Sequence, residues 1–135
     1  MGFELLEHPA DIGFRAPGAT LEALFANCAL ALVSIILEPA EIRSAQEVRI
    51  AAGEDIESLL VNWLNEVLHH VDGRCVALST FAVPWDQNRA HGCAWGEARD
   101  PKRHPPRLIV KAVTYQQLKL VQTAGGWAAE VYLDV

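Results

Sequence analysis

Hydrophobic positions that recur at steps of three and four predict two helices, over Leu21–Ile36 and Ile56–Val71. Thr20 and Asp55 are placed to cap them, because short polar side chains accept hydrogen bonds from a helix's first turn. Gly73 supplies the stop of the second helix. In each helix one wide apolar stripe faces a core: Leu21, Leu24, Phe25, Cys28, Ala29, Leu32, Ile35 and Ile36 in the first, and Ile56, Leu59, Leu60, Trp63, Leu64, Val67, Leu68 and Val71 in the second.

Shorter apolar or alternating runs predict strands. In the first half these runs are Phe3–Leu6, Ile12–Ala16 and Gln46–Ala52, and a turn at Pro9 connects the first two. The second half contributes five runs: Val76–Val83, Ala90–Ala98, Leu108–Tyr115, Leu118–Gln122 and Ala128–Leu133. Turns at residues 84–88 and at Gly125-Gly126 separate some of them.

This order of elements predicts an α+β fold. We expect a two-layer sandwich in which two helices pack on one face of a mostly antiparallel mixed sheet, with the second half forming an antiparallel meander. The chain has 135 residues, of which 51% are hydrophobic, so it can bury one core. No repeat, linker or low-complexity segment interrupts it, and we expect a single domain over residues 1–135.

The charge and the cysteines narrow the function classes. A net charge of -6, from 17 acidic and 11 basic side chains, argues against direct binding of nucleic acid, so any RNA would be reached through a partner. The three cysteines form no CxxC pair, which argues against structural zinc and a disulfide framework. Neither a signal peptide nor an apolar run long enough for a membrane span is evident, so we expect a cytoplasmic protein without membrane attachment.

Carboxylates at the two ends of the chain are the strongest candidates for a ligand site. Asp11 lies in the turn after the first strand, Asp134 ends the last strand, and Val135 adds the terminal carboxylate. These hard oxygen donors suit Ca²⁺ or Mg²⁺. Asp134 taken alone is also compatible with a hydrated terminal aspartate. Glu38 is either a further ligand or a solvated acid before Pro39.

The histidines show neither HExxH spacing nor an obvious triad. His69 and His70 point in different directions around a helix, and we interpret the pair as solvated surface. His8 and His104 each lie beside a proline at a predicted strand edge. They are either turn residues or part of a site.

Lys111 is the candidate cation. Strand alternation places Lys111, Val113 and Tyr115 on one face, which embeds the lysine in a sheet. It then either pairs with Asp11 or another acid, or extends its ammonium group from the rim of the core.

Several motifs in this order resemble the archease family. They are His8-Pro9-Ala10-Asp11-Ile12-Gly13, Thr20-Leu21-Glu22-Ala23-Leu24-Phe25, the segment Glu57 to Glu66, Trp95-Gly96-Glu97, Lys111-Ala112-Val113-Thr114-Tyr115, and the closing Trp127 to Val135. Two positions depart from the family pattern: Pro9 replaces the usual threonine, and Gln116 stands where many members carry histidine. Glu38 lies near an aspartate found close to the metal in some members.

The resemblance implies an accessory protein rather than an enzyme. Archeases activate RtcB-type RNA ligases in tRNA splicing and RNA repair, promoting GTP-dependent guanylylation of the ligase and multiple turnover. The implied metal ligands are Asp11, Asp134 and Val135, with Glu38 as a possible addition, and Ca²⁺ is favoured over Mg²⁺ or Mn²⁺. Lys111, His104 and His8 are candidates for partner contact or for support of that edge.

Two other classes remain open from the residues alone. A small hydrolase that depends on a divalent metal would use the same carboxylates to activate water, although no general base or nucleophile motif accompanies them. A metal-independent interaction module would use Trp85, Trp95 or Trp127 as anchors in a partner's pocket.

Overall fold

The computed structural model describes residues 3–7, 12–37, 46–51, 55–73, 76–86, 89–100 and 102–135. Within these ranges lie two α-helices, α1 (Leu21–Ile36) and α2 (Ile56–Leu68), the second continued by a π-helical turn at His69–Gly73. The strands in the same ranges are β1 (Glu4–Glu7), β2 (Ile12–Gly18), β3 (Gln46–Ala51), β4 (Val76–Ala82), β5 (Trp85–Asp86), β6 (Arg89–Ala98), β7 (Ala112–Thr123) and β8 (Gly126–Asp134).

Both helices begin at the caps that the sequence predicts. The hydroxyl of Thr20 accepts a hydrogen bond from the N–H of Ala23 at 3.1 Å, and the carboxylate of Asp55 accepts from the N–H of Ser58 at 3.0 Å. The hydrogen bonds from Ser58 lower the pKa of Asp55. The α1 prediction is therefore confirmed to the residue, whereas α2 ends earlier than predicted because its last turn widens into the π-helical segment.

The described strands form two sheets, with strand orders β1-β2-β8-β7 and β3-β6-β4, and β5 pairs with β6. Every described pairing is antiparallel, so the predicted α+β class is confirmed, with two sheets where the sequence indicated one. The second half is not one meander, because β8 inserts between β2 and β7 and β6 between β3 and β4. Alternation of apolar residues marks a strand but does not specify its neighbours.

Helix α1 contacts both sheets. It packs against β2 and β8 of the first sheet, against β4 of the second, and against α2. Ten of its residues are buried, including Ala31, Val33 and Ser34, which lie outside the predicted stripe. A helix with apolar residues on most sides is one that is buried on most sides. The indole N–H of Trp63 on α2 donates to the carbonyl of Phe25 at 3.0 Å and ties the helices together.

Three stretches differ from the predicted strands. The runs predicted at 108–115 and 118–122 are replaced by one strand, β7, which starts at Ala112 and has a register irregularity between Thr114 and Lys119. Trp85–Asp86 forms a short strand instead of part of a turn. Strand β2 continues through Gly18, where a turn was predicted.

The two neighbouring histidines, His69 and His70, differ in their exposure to solvent. His69 is exposed, as predicted, whereas His70 is only 8% exposed, so its assignment to the surface is wrong. His70 lies three residues after Val67 and seven after Trp63, so helical spacing itself places it on the buried face. No helix in the described ranges has the length and apolar character needed to cross a membrane.

Candidate functional site

The end of β8 lies between β2 and β7. Ile12 is opposite Leu133, and Ala112 is opposite Asp134. The first described residue of β2 is thus the sequence neighbour of Asp11, and it pairs with the sequence neighbour of Asp134. Three of the predicted site residues lie outside the described residues: His8, Asp11 and Glu38.

Asp134 faces away from the helices. Alternation along β8 buries Val131 and Leu133 in the core and places Glu130, Tyr132 and Asp134 on the outer face. A cavity of about 310 Å³ opens on this face, and both Asp134 and Val135 line it. The described residues of its lining are Thr114, Gln116, Gln117, Tyr132, Leu133, Asp134 and Val135. Within the described part of the chain, the carboxylate of Asp134 has no hydrogen-bond or ion-pair partner.

One row further from this cavity, alternating charges cross the outer face of the first sheet. Glu4 is opposite Arg15, Arg15 is opposite Glu130, and Glu130 is opposite Lys119. The guanidinium of Arg15 lies 3.1 Å from the carboxylate of Glu130 and 3.4 Å from that of Glu4. Cross-strand pairs of opposite charge stabilise a sheet. The charge of Glu130 is therefore balanced inside the protein, in contrast to that of Asp134.

Tyr132 separates this charged row from the cavity. Its hydroxyl donates to Glu130 at 2.6 Å, and this bond, followed by the contacts with Arg15 and Lys119, lowers the pKa of Glu130. The ring lies over Gly13 on β2, where a Cβ atom would come within 2.9 Å of the tyrosine ring. With its hydroxyl committed to Glu130, Tyr132 presents its ring as one wall of the cavity.

A bulge in β7 forms the opposite wall. Thr114 pairs with Tyr132 and Lys119 pairs with Glu130, so residues 115–118 on β7 lie opposite the single residue Val131 on β8. Gln117 has a φ of 58°, the one positive φ of a non-glycine residue within the described ranges. Bulges of this kind redirect side chains. Here the bulge places Gln116 and Gln117 on the lining of the cavity.

Lys111 is not embedded in a sheet, so that prediction is wrong. It precedes β7, its side chain is exposed, and Val113 is buried whereas Tyr115 is 56% exposed. Its backbone N–H donates to the carbonyl of Asp134 at 2.7 Å, which fixes the end of β8. Its side chain lines a second cavity of about 250 Å³, together with Asn65, Leu68, His69, Asp72 and Gly73. In the described residues its ammonium has no ion-pair partner.

His104 is buried, with 1% of its surface exposed, so its ring does not lie where a partner could contact it. Nδ1 accepts the N–H of Asp100 at 2.8 Å, which places the ring proton on Nε2, 2.8 Å from the carboxylate of Glu97. Arg103 binds the same carboxylate at 2.7 Å. The histidine thus braces the segment between β6 and β7.

The donors at the end of β8 fit a hard cation. A carboxylate without a partner at the edge of a water-accessible cavity is the type of ligand that Ca²⁺ and Mg²⁺ use. Among the described residues, no three side chains of His, Cys, Asp or Glu converge on one point. Two of the predicted ligands, Asp134 and Val135, are among the described residues.

Nearly the whole chain matches one known protein family. Residues 3–135 match the model of the Archease protein family (MTH1598/TM1083). The chain belongs to the archease family. It is 39% identical to protein archease of Methanosarcina mazei over 139 residues, covering 98% of this chain and 95% of the relative. It is 38% identical to protein archease of Pyrococcus furiosus, also over 139 residues, with 98% of each chain covered.

Two solved structures share the fold. The solution structure of Methanobacterium thermoautotrophicum protein 1598 matches with a TM-score of 0.85 and 36% identity, covering 99% of both chains. The crystal structure of an archease from Thermotoga maritima, described as a possible chaperone, matches with a TM-score of 0.62 over 96% of this chain and 94% of that one. At 20% identity, the second likeness supports the fold alone.

Sequence reasoning missed three residues around the cavity. Thr114 and Tyr132 belong to segments that the sequence assigned to strands, but no local signal places them beside Asp134. Gln117 was read as part of a connection between two strands, and a bulge leaves no periodic pattern to detect. Alternation counted back from Asp134 along one strand could have found Tyr132.

Proposed function

We propose that the protein is a metal-binding accessory protein that activates an RtcB-type RNA ligase in tRNA splicing or RNA repair. Asp11, Asp134 and the main-chain carboxylate of Val135 bind a divalent cation, with Ca²⁺ favoured over Mg²⁺ and Mn²⁺ and Glu38 as a further candidate ligand. The protein promotes GTP-dependent guanylylation of the ligase and its multiple turnover, and it reaches RNA only through the ligase.

The observation that carries this proposal is the contrast between two acids on one strand. Glu130 is neutralised by Arg15 and receives the hydroxyl of Tyr132. Asp134, on the same face of β8, has no such partner within the described ranges and faces a cavity. An anion that its own protein does not balance is ready to bind a cation. Family membership and the register of Ile12 with Leu133 support Asp11 as its companion.

The chemistry around the cavity favours an accessory role over a hydrolase. Of the described residues that line it, none is a histidine, a cysteine or a lysine. Its two hydroxyl groups are committed as donors, that of Thr114 to the carbonyl of Tyr132 and that of Tyr132 to Glu130. A hydrolase needs a base close to the water that it activates. The net charge of -6 suits a partner with a cationic, nucleotide-binding site.

The indole rings give less support to a metal-independent interaction module. Trp127 is partly buried and packs against the core, and Trp95 is of intermediate exposure. The side chain of Trp85 lies outside the described residues. An anchor residue of an interface normally projects into its partner.

The test combines calorimetry with a ligase assay. The native protein should bind Ca²⁺ and stimulate guanylylation of a purified RtcB-type ligase. The variants Asp11→Asn and Asp134→Asn should lose most of the Ca²⁺ affinity and most of the stimulation, because each removes a charged ligand. Asp72→Asn is a matched control at an exposed acid on the second cavity. Full stimulation by both site variants would refute the proposed role of the metal.

Phosphoester hydrolysis by the isolated protein in the presence of Ca²⁺, Mg²⁺ or Mn²⁺ would instead identify a hydrolase. Stimulation that persists in excess chelator would identify a metal-independent module. These two measurements separate the three classes that the sequence left open.

A further inference from the structure

The bulge in β7 contains an energetically unfavourable residue next to the proposed cation site. Gln117 has a φ of 58°, in the left-handed region that glycine adopts without cost and asparagine tolerates. Gln117 is neither of these. A non-glycine residue is kept in this conformation only when the surrounding structure enforces it, and such residues cluster at ligand sites.

The bulge lies beside the cavity and determines which residues of β7 line it. Residues 115–118 lie opposite Val131 alone, so the chain of β7 leaves the regular ladder at the level of the cavity. As a result, both Gln116 and Gln117 line the cavity that also contains Asp134 and Val135. A regular strand would have placed successive side chains on opposite faces of the sheet.

The chemistry of the cation site leaves room for a neutral donor. Ca²⁺ takes six to eight oxygen ligands and accepts side-chain amide oxygens as well as carboxylates. The carboxylates of Asp134 and Val135 do not complete such a shell. Among the described residues that line the cavity, Gln116 and Gln117 supply side-chain amide oxygens, and no hydrogen bond within the described ranges engages either of them.

We propose that the amide oxygen of Gln117 is a further ligand of the divalent cation, and that the bulge in β7 serves to place it there. This inference rests on the proposed metal site. It assigns a role to a residue on the edge strand of the sheet, remote in sequence from Asp11 and from Asp134.

Calorimetric titration of the full chain with Ca²⁺ alone tests it, paired with thermal unfolding. Gln117→Gly removes the amide and adopts a positive φ without strain. We expect the affinity to fall about fivefold, while the melting temperature stays the same or rises. An unchanged affinity would overturn the inference. So would a loss of affinity that parallels a fall in melting temperature, because Gln117 would then be serving the fold.

A charge substitution supplies a gain of function. Gln117→Glu should tighten Ca²⁺ binding about tenfold, since affinity rises with the number of charged ligands. Gln122→Glu adds the same charge to an exposed position on the same strand that does not line the cavity, and should change affinity less than twofold. If both substitutions change the Ca²⁺ affinity equally, the effect comes from the added negative charge in general and not from a ligand at residue 117, and the inference is overturned.

Asp134→Asn keeps the two proposals distinguishable. If it leaves Ca²⁺ binding intact, the metal site itself is refuted. If it abolishes binding while both Gln117 variants behave like the native protein, only the role of the bulge is refuted.

Discussion

Asn65 on α2 closes the open edge of β7 at Val113. Its amide nitrogen donates to the carbonyl of Val113 at 3.1 Å, and its amide oxygen accepts the N–H of Val113 at 2.9 Å. Val113 pairs with Leu133 of β8 through its register, and the side chain of Asn65 takes the place of a further strand on the other side. The helix thereby fixes the part of β7 that leads into the bulge beside Asp134.

Asn65→Asp should destabilise the protein. The carboxylate can still accept the N–H of Val113, but it has no proton to give to the carbonyl, which then faces a negative charge. Leaving such a group unsatisfied costs about 1–3 kcal/mol. The free energy of unfolding in urea measures the effect.

Asn62→Asp is the matched control, because Asn62 is exposed on the same helix. Its free energy of unfolding should stay within about 0.5 kcal/mol of the native value. If the two variants were equally stable, the double hydrogen bond of Asn65 would have no energetic role.

Gly13→Ala should disturb the packing of Tyr132. A Cβ atom at residue 13 would lie 2.5 Å from the carbonyl oxygen of Val131 and 2.9 Å from the ring of Tyr132. Because the first contact is with backbone, the ring cannot relieve it by moving alone. Overpacking of this kind costs about 1–3 kcal/mol. Urea unfolding reports the loss, and near-ultraviolet circular dichroism reports any change in the environment of the tyrosine.

Gly125→Ala provides the comparison. A Cβ atom there meets nothing within 4 Å, and its φ is not in the left-handed region. Because alanine restricts the unfolded chain, this variant should be as stable as the native protein or more stable by up to about 1 kcal/mol. A Gly13→Ala variant that matched it would show that β2 and β8 can separate without cost.

The helices were predictable from the sequence because their signals are local. Period and cap agree at Thr20 and at Asp55, and both caps are present. The order of the strands was not predictable. Nothing local to residues 126–134 indicates that this strand lies between β2 and β7. The contacts of α1 with both sheets and with α2 account for its many buried positions, but the same pattern is compatible with a single sheet.

Two of the residues that line the cavity could be singled out from the sequence, but their surroundings could not. Asp134 and Val135 are conspicuous at the end of a strand, and the structure brings them to one cavity. The ring of Tyr132 and the amide of Gln117 reach that cavity through pairing across strands and through a bulge, both of which depend on register. Lys111 was misplaced because the predicted strand began at Leu108, whereas β7 begins at Ala112, directly after the lysine.

Glu130 should make stability sensitive to acid. The hydroxyl of Tyr132, and then Arg15 and Lys119, lower the pKa of this carboxyl below its ordinary value of 4.5. A lowered pKa in the folded state contributes stability above the unfolded pKa, and that contribution is lost as the pH falls through the folded value. Glu130→Gln should therefore be less stable than the native protein above about pH 4.5. The difference should shrink steadily below that pH.

Urea unfolding at a series of pH values from neutral to acidic measures this difference. Glu66→Gln is the control, since Glu66 is exposed on α2 and has no ion-pair partner within the described ranges. This variant removes one carboxylate of the same type and therefore corrects for the general effect of losing a charge. A constant difference for Glu130→Gln would mean that the charged row across the sheet does not favour the ionised carboxyl.

The main-chain carboxylate of Val135 gives the sharpest test of how the proposed cation is held. Appending a Gly-Ser dipeptide after Val135 converts this carboxylate into a neutral amide and moves the terminal charge away from Asp134. Removal of one charged ligand from a hard-cation site should weaken Ca²⁺ binding about tenfold in calorimetry.

The matched control is Val135→Ala. Val135 is 41% exposed, so this variant should preserve both the fold and the carboxylate and keep the affinity within about twofold. If the extended protein binds as tightly as the native one, the carboxylate is not a ligand and the cation depends on Asp134 and its other neighbours. If Val135→Ala loses affinity instead, the site depends on the apolar side chain of Val135, which shapes the cavity, and not on the charge of the terminal carboxylate.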